Sequence, residues 1–351
     1  MQVDITDART LQPSFDEEGF ELHQIAHDEI DFLKHADVVL KYYPVVADLV
    51  RKITGAKDVF CFDHNLRKSK SAPSQSRGVC FFLPRALAPS PRALRRSIDR
   101  NNNLPGDEQI VGAAVTIQPP ISLVHTARRR RRSSSLRSSR RFFYFIFWGR
   151  RRVPRRTPFF IPPQDYTLTS APARLDLLSQ EPKTNDSWRA FLEEGASLVP
   201  PEIAERALAQ GARLQIINVW RSISKAGPVQ CYPLAVVDSR SVELEDLVVF
   251  EVHYADRVGE NYFVKHSERH KWCYYSAMQH DEALVIKQWD TEGRLAHQAA
   301  QAAGAPGAPL DPKRPLVSDF CIHAAFDSDP DGDKTNLPAR ESIETRVIVV
   351  Y

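Results

Sequence analysis

A mainly β fold with flanking helices is predicted by three observations. From Arg213 onward the chain divides into short apolar runs of four to eleven residues: LQIINVW, PLAVVD, LVVFEV, NYFVKH, KWCYYS, EALVIKQW, LVSDFCIHAAF and SIETRVIVVY. Polar or Gly/Pro turns separate them, a spacing that suits an antiparallel sandwich or barrel. Helical periodicity is confined to stretches that precede this region. With 351 residues, 42% of them apolar, the chain has enough material for the packed core of one large domain.

Taken in order, residues 1–28 read as an irregular or extended entry arm. Residues 29–51 (EIDFLKHADVVLKYYPVVADLVR) carry apolar side chains at helical spacing, with Pro44 expected to break the run into two helical pieces. Asp58–Phe62 (DVFCF) reads as a strand. Residues 68–107 are rich in Ser, Pro, Arg and Asn and read as a loop or a milder insertion. Residues 109–125 end, after a Pro-Pro turn, in the strand ISLVH. Ser170–Ala212 is helical in character, punctuated by Pro and Gly, and 299–312 (AAQAAGAPGAPLDP) reads as a low-complexity loop. Helices first and strands later, with one His on an early strand and another near the end, fit a double-stranded β-helix, or jelly roll, as a single domain over 1–351.

One segment is unlike its surroundings. Ala127 to Gln164 holds thirteen arginines and no acid, so its removal takes the net charge from +3 to −10. The basic balance is therefore local and does not mark a nucleic-acid-binding body. Three readings apply to the segment. A translated intron or wrong gene model is favoured, because excision leaves the frame intact and repairs a motif described below. The second is a genuine surface loop, whose closure entropy grows only slowly with length. The third is a phosphate- or RNA-binding arm, with Phe142, Phe143, Tyr144 and Trp148 among its arginines. Its longest apolar run, Phe142–Trp148, is far too short to span a bilayer.

Cys61, Cys80, Cys231, Cys273 and Cys321 are scattered, with no C-x-x-C, as expected for reduced thiols in a cytoplasmic protein. The acidic first twenty residues lack the apolar core of a signal peptide. Asp327, Asp329, Asp331, Gly332 and Asp333 mimic the start of a calcium loop, but Pro338 stands where the bidentate acid belongs, so the stretch reads as a solvated acidic turn.

Excision of 127–164 joins the flanks as Leu123-Val124-His125-Thr126-Asp165-Tyr166-Thr167 and restores a His-x-Asp pair. Two His and one carboxylate on one face of iron leave three positions open. A 2-oxo acid chelates through two of them, and dioxygen takes the third. The remaining ligand must come from a distant strand. Among His253, His266, His270, His280, His297 and His323, the choice is His323, in the apolar run FCIHAAF and 17 residues before Arg340. Arg340-Glu341-Ser342 forms an R-x-S pattern, whose guanidinium fork and hydroxyl suit the distal carboxylate of 2-oxoglutarate. Arg346 has the same strand parity and is a rival anchor; Ser342 decides for Arg340. Asn218, Trp220 and Arg221 are candidates for lining the pocket. The literal His125-Thr126-Ala127 offers an alternative with one coordination position vacant, as in iron-dependent halogenases.

The strings VHT…DYTLTSAPARL, RLQIINVWRSI, GPVQCYPLAVVDSRSV, GENYFVKHSERHKWCYY, HDEALVIKQWD and ARESIETRVIVVY resemble one family. It is the fungal and bacterial group related to gibberellin desaturases and to the cephamycin-methoxylation component, including fungal secondary-metabolite hydroxylase/desaturases. The resemblance covers roughly 30–70, 108–126 and 165–351. It implies an iron(II)/2-oxoglutarate oxygenase with a jelly-roll core. Its His-x-Asp falls on His125 and Asp165, its later His on His323 and its terminal Arg on Arg340. The expected partner is a small-molecule substrate, with neither membrane nor nucleic acid. The alternative is a metal-free jelly-roll relative in which the Arg-rich segment splits the metal motif.

Overall fold

The computed structural model describes residues 3–25, 30–68, 117–118, 160–164, 166–183, 186–209, 212–253, 258–302, 317–328 and 337–351. The strands are β1 (Ile5–Asp7), β2 (Phe20–Gln24), β3 (Asp58–Lys68), β4 (Ile117–Gln118), β5 (Phe160–Gln164), β6 (Leu214–Ser222) and β7 (Leu234–Val237). They continue as β8 (Leu247–His253), β9 (Val258–Lys265), β10 (Trp272–Tyr274), β11 (Glu282–Asp290), β12 (His323–Ala325) and β13 (Glu341–Val350). A six-stranded sheet runs β2-β11-β6-β13-β3-β4, a four-stranded sheet β1-β10-β7-β12, and a three-stranded sheet β5-β9-β8. Pairing is antiparallel except for β1 with β10 and β3 with β4. The mainly β expectation is met.

Every residue of β6 and of β11 is buried, because the six-stranded sheet is covered on both faces. One face carries Ile217 and Val219 of β6 and Ile343, Val347 and Val349 of β13. It packs on Val38, Val39, Tyr42, Val46 and Val50 of the N-terminal helical segment. The other face carries Ile216, Trp220, Leu284, Ile286, Ile348 and Val350. It packs on the four-stranded sheet through Ala235, Val236 and Val237. This second interface is a sheet-on-sheet core, and the residues of interest lie within it.

Helix α1 (Tyr43–Thr54) directly follows a wide helical turn at Val38–Tyr42, so Pro44 does not split the segment as expected. Pro44 stands at the start of α1, just past the wide turn in which the Tyr43 N–H reaches the Val38 carbonyl, and its fixed φ suits the helix there. Gly55, at φ 71°, ends the helix with its N–H on the Arg51 carbonyl at 2.8 Å. β3 runs on past Phe62 to Lys68, longer than expected, because β13 lies alongside it over the whole length, with one bulge opposite Arg346/Val347. Part of the entry arm is recruited into sheets as β1 and β2. The helical region after Tyr166 resolves into α2 (Ser170–Leu178) and α3 (Pro201–Leu208). Helix α4 (Arg294–Ala302) takes in 299–302 of the expected loop; 303–316 lie outside the described residues, as do most of 68–107 and the expected strand ISLVH.

The approach to β12 is held by Asp319, which is buried and accepts the N–H groups of Leu295 (2.7 Å) and Ala296 (2.6 Å) at the start of α4. Burial pushes its carboxyl up to about 6, even though both N–H groups favour the ionised form. Gly293 is required there: a Cβ would overlap the Asp319 side chain and come within 2.7 Å of its Cα. At the end of β11, Asp290 collects Lys287 Nζ (3.1 Å), Arg213 Nη2 (2.9 Å) and Gln215 Nε2 (2.6 Å), a paired and hydrogen-bonded arrangement that makes its burial tolerable.

His64, on the helix side of β3, meets the Tyr43 hydroxyl at 2.8 Å and stacks on His35 at 5.4 Å. Burial pulls its pKa down to about 4, against the opposing pull of Asp63. A histidine whose folded pKa lies below its unfolded value loses stability as pH falls through the interval, here from the ordinary 6.5 towards 4. We predict that the protein loses about 2 kcal/mol more between pH 7 and pH 5 than a His64→Gln variant does, measured by urea unfolding at the two pH values. Parallel losses in the two proteins would refute the assignment.

Candidate active site

Period-two alternation along β13 sends Ser342, Glu344 and Arg346 to the sheet-on-sheet interior, with Arg340 just ahead of them, while Ile343, Val347 and Val349 face the helices. Three rows cross the sheet here. Ser342 lies between Ser222 of β6 and Arg67 of β3; Glu344 lies between Trp220 and Asn65; Arg346 lies between Asn218 and Asp63. Beyond these rows the same face turns apolar at Ile348 and Val350.

His323, the first residue of β12, lies against the middle row. Its Nε2 is 3.5 Å from Glu344 Oε2, and its Nδ1 is 3.3 Å from the Cys321 carbonyl and 3.5 Å from Gln288 Nε2. Burial alone would raise the Glu344 pKa, but the His323 hydrogen bond and the charges of His323, Arg346 and Arg67 lower it below the ordinary carboxylate value. The middle row therefore favours a carboxylate next to an imidazole.

Arg340 is 4% exposed. Its Nη1 donates to the Tyr232 carbonyl at 2.6 Å, and its guanidinium sits 5.6 Å from the centre of the Trp220 ring. Tyr232 has φ 49°, a left-handed conformation uncommon for this residue type, at the position whose carbonyl receives Arg340. Burial, reinforced by repulsion from Arg67, lowers the Arg340 pKa to about 9, with Glu344 opposing. A positive field is thus held in a dry place, which favours an anion. Ser342 is 1% exposed, and its Oγ has no hydrogen-bond partner among the described residues. Arg346 differs: Nη1 donates to Asp63 at 2.8 Å, Glu344 lies 3.8 Å from Nη2, and the Asn65 amide oxygen, once turned towards it, accepts at 2.9 and 3.0 Å.

Of the five residues expected at the site, His323, Arg340 and Ser342 share this interior. His125 and Asp165 lie outside the described residues. β5 ends at Gln164, the residue before Asp165 in sequence, and comes within 8 Å of β12, Cα to Cα. Among the described residues no three His, Cys, Asp or Glu side chains gather as a metal site. Trp220 and Asn218 face the interior as expected, but Arg221 does not. Alternation turns it to the helix side, where it meets the rings of Phe32 (5.6 Å) and Tyr42 (5.8 Å). Of the histidines passed over, His270 is bound to Asp246 at 3.1 Å and His280 lies beside Arg221 at 3.2 Å. Sequence reasoning missed Glu344, Gln288 and Arg67. Extending the parity of Arg340 and Ser342 by one step finds Glu344; Gln288 sits at the β11 bulge, which no local signal marks.

Comparison with known proteins bears on the chemistry of this interior. The profile of the family described as oxidoreductase/YMDC permease-like domain matches residues 1–87 and 123–350. The hydroxylase/desaturase efuI of Hormonema carpetanum is 31% identical over 52% of this chain and 53% of its own length. Aspirochlorine biosynthesis protein N of Aspergillus oryzae is 32% identical over 43% of this chain and 53% of its own length. The chain thus spans about half the length of these two relatives. The alpha-ketoglutarate-dependent dioxygenase phiK, from a fungal species, is 23% identical over 99% of this chain and 83% of its own. Among solved structures, the iron and alpha-ketoglutarate-dependent endoperoxidase NvfI superposes with a TM-score of 0.56 at 21% identity, covering 99% of this chain and 84% of that one, which shows a shared fold. The profile spans most of the sequence, including all of β5 to β13, and the chain belongs to the oxidoreductase/YMDC permease-like domain family.

Proposed function

We propose that this chain is an iron(II)/2-oxoglutarate-dependent oxygenase on a double-stranded β-helix, hydroxylating or desaturating a small secondary metabolite. The observation that carries the reading is a buried cation and an unpartnered buried hydroxyl, Arg340 and Ser342, one row from an interior imidazole. The relatives' names, hydroxylase/desaturase and alpha-ketoglutarate-dependent dioxygenase, support it.

The residues present fit the group. The Cys321 carbonyl, 3.3 Å from His323 Nδ1, is placed to accept the Nδ1 proton, the outer hydrogen bond that ligating histidines ordinarily have, and Nε2, which here faces Glu344 at 3.5 Å, is the nitrogen that would bind the metal. His125, Asp165 and His323 are the proposed ligands. Arg340 and Ser342 take the distal carboxylate of 2-oxoglutarate, Arg67 adds to the positive field there, and the Trp220 ring holds the Arg340 fork in place. When bound, iron(II) and 2-oxoglutarate would supply the oxidising power: dioxygen is consumed, the 2-oxo acid leaves as succinate and carbon dioxide with one oxygen atom, and the other oxygen either enters a substrate C–H bond or, in desaturation, leaves as water with two substrate hydrogens. The protein's own part is to orient the co-substrate and exclude bulk water from the sandwich interior. Iron-dependent conversion of 2-oxoglutarate to succinate by the purified protein tests this directly. We expect His323→Ala to abolish turnover and Arg340→Ala to raise the KM for 2-oxoglutarate roughly 10- to 100-fold, the loss of a charge-assisted hydrogen bond. Succinate formation that survives His323→Ala would sink the assignment.

β5 makes a second prediction. It consists of residues from the Arg-rich segment and lies at the edge of β9, with its register broken between Ile161 and Gln164, where Pro162 and Pro163 supply no N–H. When 127–164 is deleted, Leu123-Val124-His125-Thr126 precedes Asp165 instead, and Val124 and His125 bring two donors to that place in the ladder. The shortened protein is expected to melt higher and to bind one iron(II) per chain more tightly than the 351-residue form, as read by calorimetry and iron titration. Equal or weaker iron binding after deletion would refute this role for the strand.

A further inference from the structure

Asn218, in the middle of β6, is completely buried, and among the described residues neither its Nδ2 nor its Oδ1 has a hydrogen-bond partner. Its neighbours on the same face, Ile216 and Trp220, pack against β7, so Asn218 faces the same interior as Glu344 and Arg346. Its cross-strand neighbours do not satisfy it. Ile286 has no polar group, and the Arg346 guanidinium is engaged by Asp63, Glu344 and Asn65. A buried amide left in this state opposes folding, since each unmade hydrogen bond leaves a desolvated group behind.

Its place along the strands identifies what it meets. From the Ser342 row to the Glu344 row is about 7 Å, and to the Asn218 row about 13 Å, at ~3.3 Å per residue. The carboxylate carbons of 2-oxoglutarate are about 5 Å apart, given C–C bonds of ~1.5 Å. A co-substrate anchored at Arg340 and Ser342 therefore reaches the row of His323 and stops short of Asn218. On the proposed oxygenase reading, which this inference rests on, Asn218 lies beyond the row of His323 as seen from the co-substrate anchor, which leaves it to the organic substrate. Because carboxylates already meet the Arg346 charge, the row favours a neutral partner over a second anion. A primary amide offers N–H donors and a carbonyl acceptor side by side, and a neutral group that answers both at once is another amide, through its own N–H and carbonyl.

We propose that Asn218 is a substrate-positioning residue that pairs with a carboxamide or lactam of the substrate, holding the neighbouring C–H towards the His323 row. The test uses δ-valerolactam as the probe and δ-valerolactone, which lacks the N–H, as its isostere. Ligand-observed NMR on the 351-residue protein, with and without iron(II) and 2-oxoglutarate, reads their binding. The lactam is expected to bind about tenfold or more tightly than the lactone, and Asn218→Leu to erase that preference. The same variant should melt at a higher temperature than wild type and keep its 2-oxoglutarate affinity unchanged, because the amide serves neither the fold nor the co-substrate. Asn218→Thr, smaller than Leu, repeats the measurement should Leu prove too bulky to fold. Equal lactam and lactone binding in wild type, or a lowered melting temperature in both variants, overturns the proposal. A wild-type protein that prefers the lactam yet never converts 2-oxoglutarate overturns the oxygenase reading and keeps the amide site. One that turns over 2-oxoglutarate without a lactam preference does the reverse.

Discussion

A single strand sets the chemistry of this interior. Along one face of β13 the side chains run Ser342, Glu344, Arg346, Ile348, Val350, polar for three positions and then apolar for two. Each position has a neighbour on both sides, because β13 lies between β3 and β6 over nearly its whole length. A change of sign on this strand therefore spreads across the sheet. Where β13 is polar, the facing positions are Arg67, Asn65, Asp63, Ser222, Asn218 and the Trp220 indole; where it is apolar, they include Ile216 and Phe60. The sandwich is divided into a charged half and an apolar half. Charged and polar groups in such a place are ordinarily paired or hydrogen-bonded. The half-buried Arg346 and Asp63 are paired, while the fully buried Ser342 hydroxyl and Asn218 amide have no hydrogen-bond partner among the described residues.

Much of this is legible in the amino-acid order. The run SIETRVIVVY signals both strand and parity, and parity alone puts Arg340, Ser342 and Arg346 on one face. The short apolar runs after Arg213 each form a strand, because burial on two faces selects β-branched and aromatic residues over a stretch as short as LAVV. His323 is separable from five other histidines by its apolar setting and its distance to Arg340, not by any property of the ring itself.

What is not legible is mostly a matter of long-range pairing. The reach of β3 past Phe62 depends on a partner strand almost three hundred residues away, and DHNLRK has no apolar pattern of its own. Pro44 reads as a break because the rule is local; a wider turn ahead of it absorbs the missing donor. Arg221 falls one step of alternation away from the expected face, the smallest error a strand allows and one that moves a side chain to the opposite side. Which arginine meets the Asp63 carboxylate is likewise a question of register: Asp63 lies opposite Arg346, six residues after Arg340.

Cys321 stands two residues before His323, fully buried, with its Sγ directed at the Val237 carbonyl at 3.2 Å. Burial holds the thiol far above its ordinary pKa, so it stays protonated at any physiological pH. Sulfur is the atom a protein most readily surrenders to stray oxidants, and it does so as the anion. Here the sulfur two residues from His323 is locked in its least reactive form, so the chain entering the strand that carries this histidine holds no thiolate at Cys321 for an oxidant to attack.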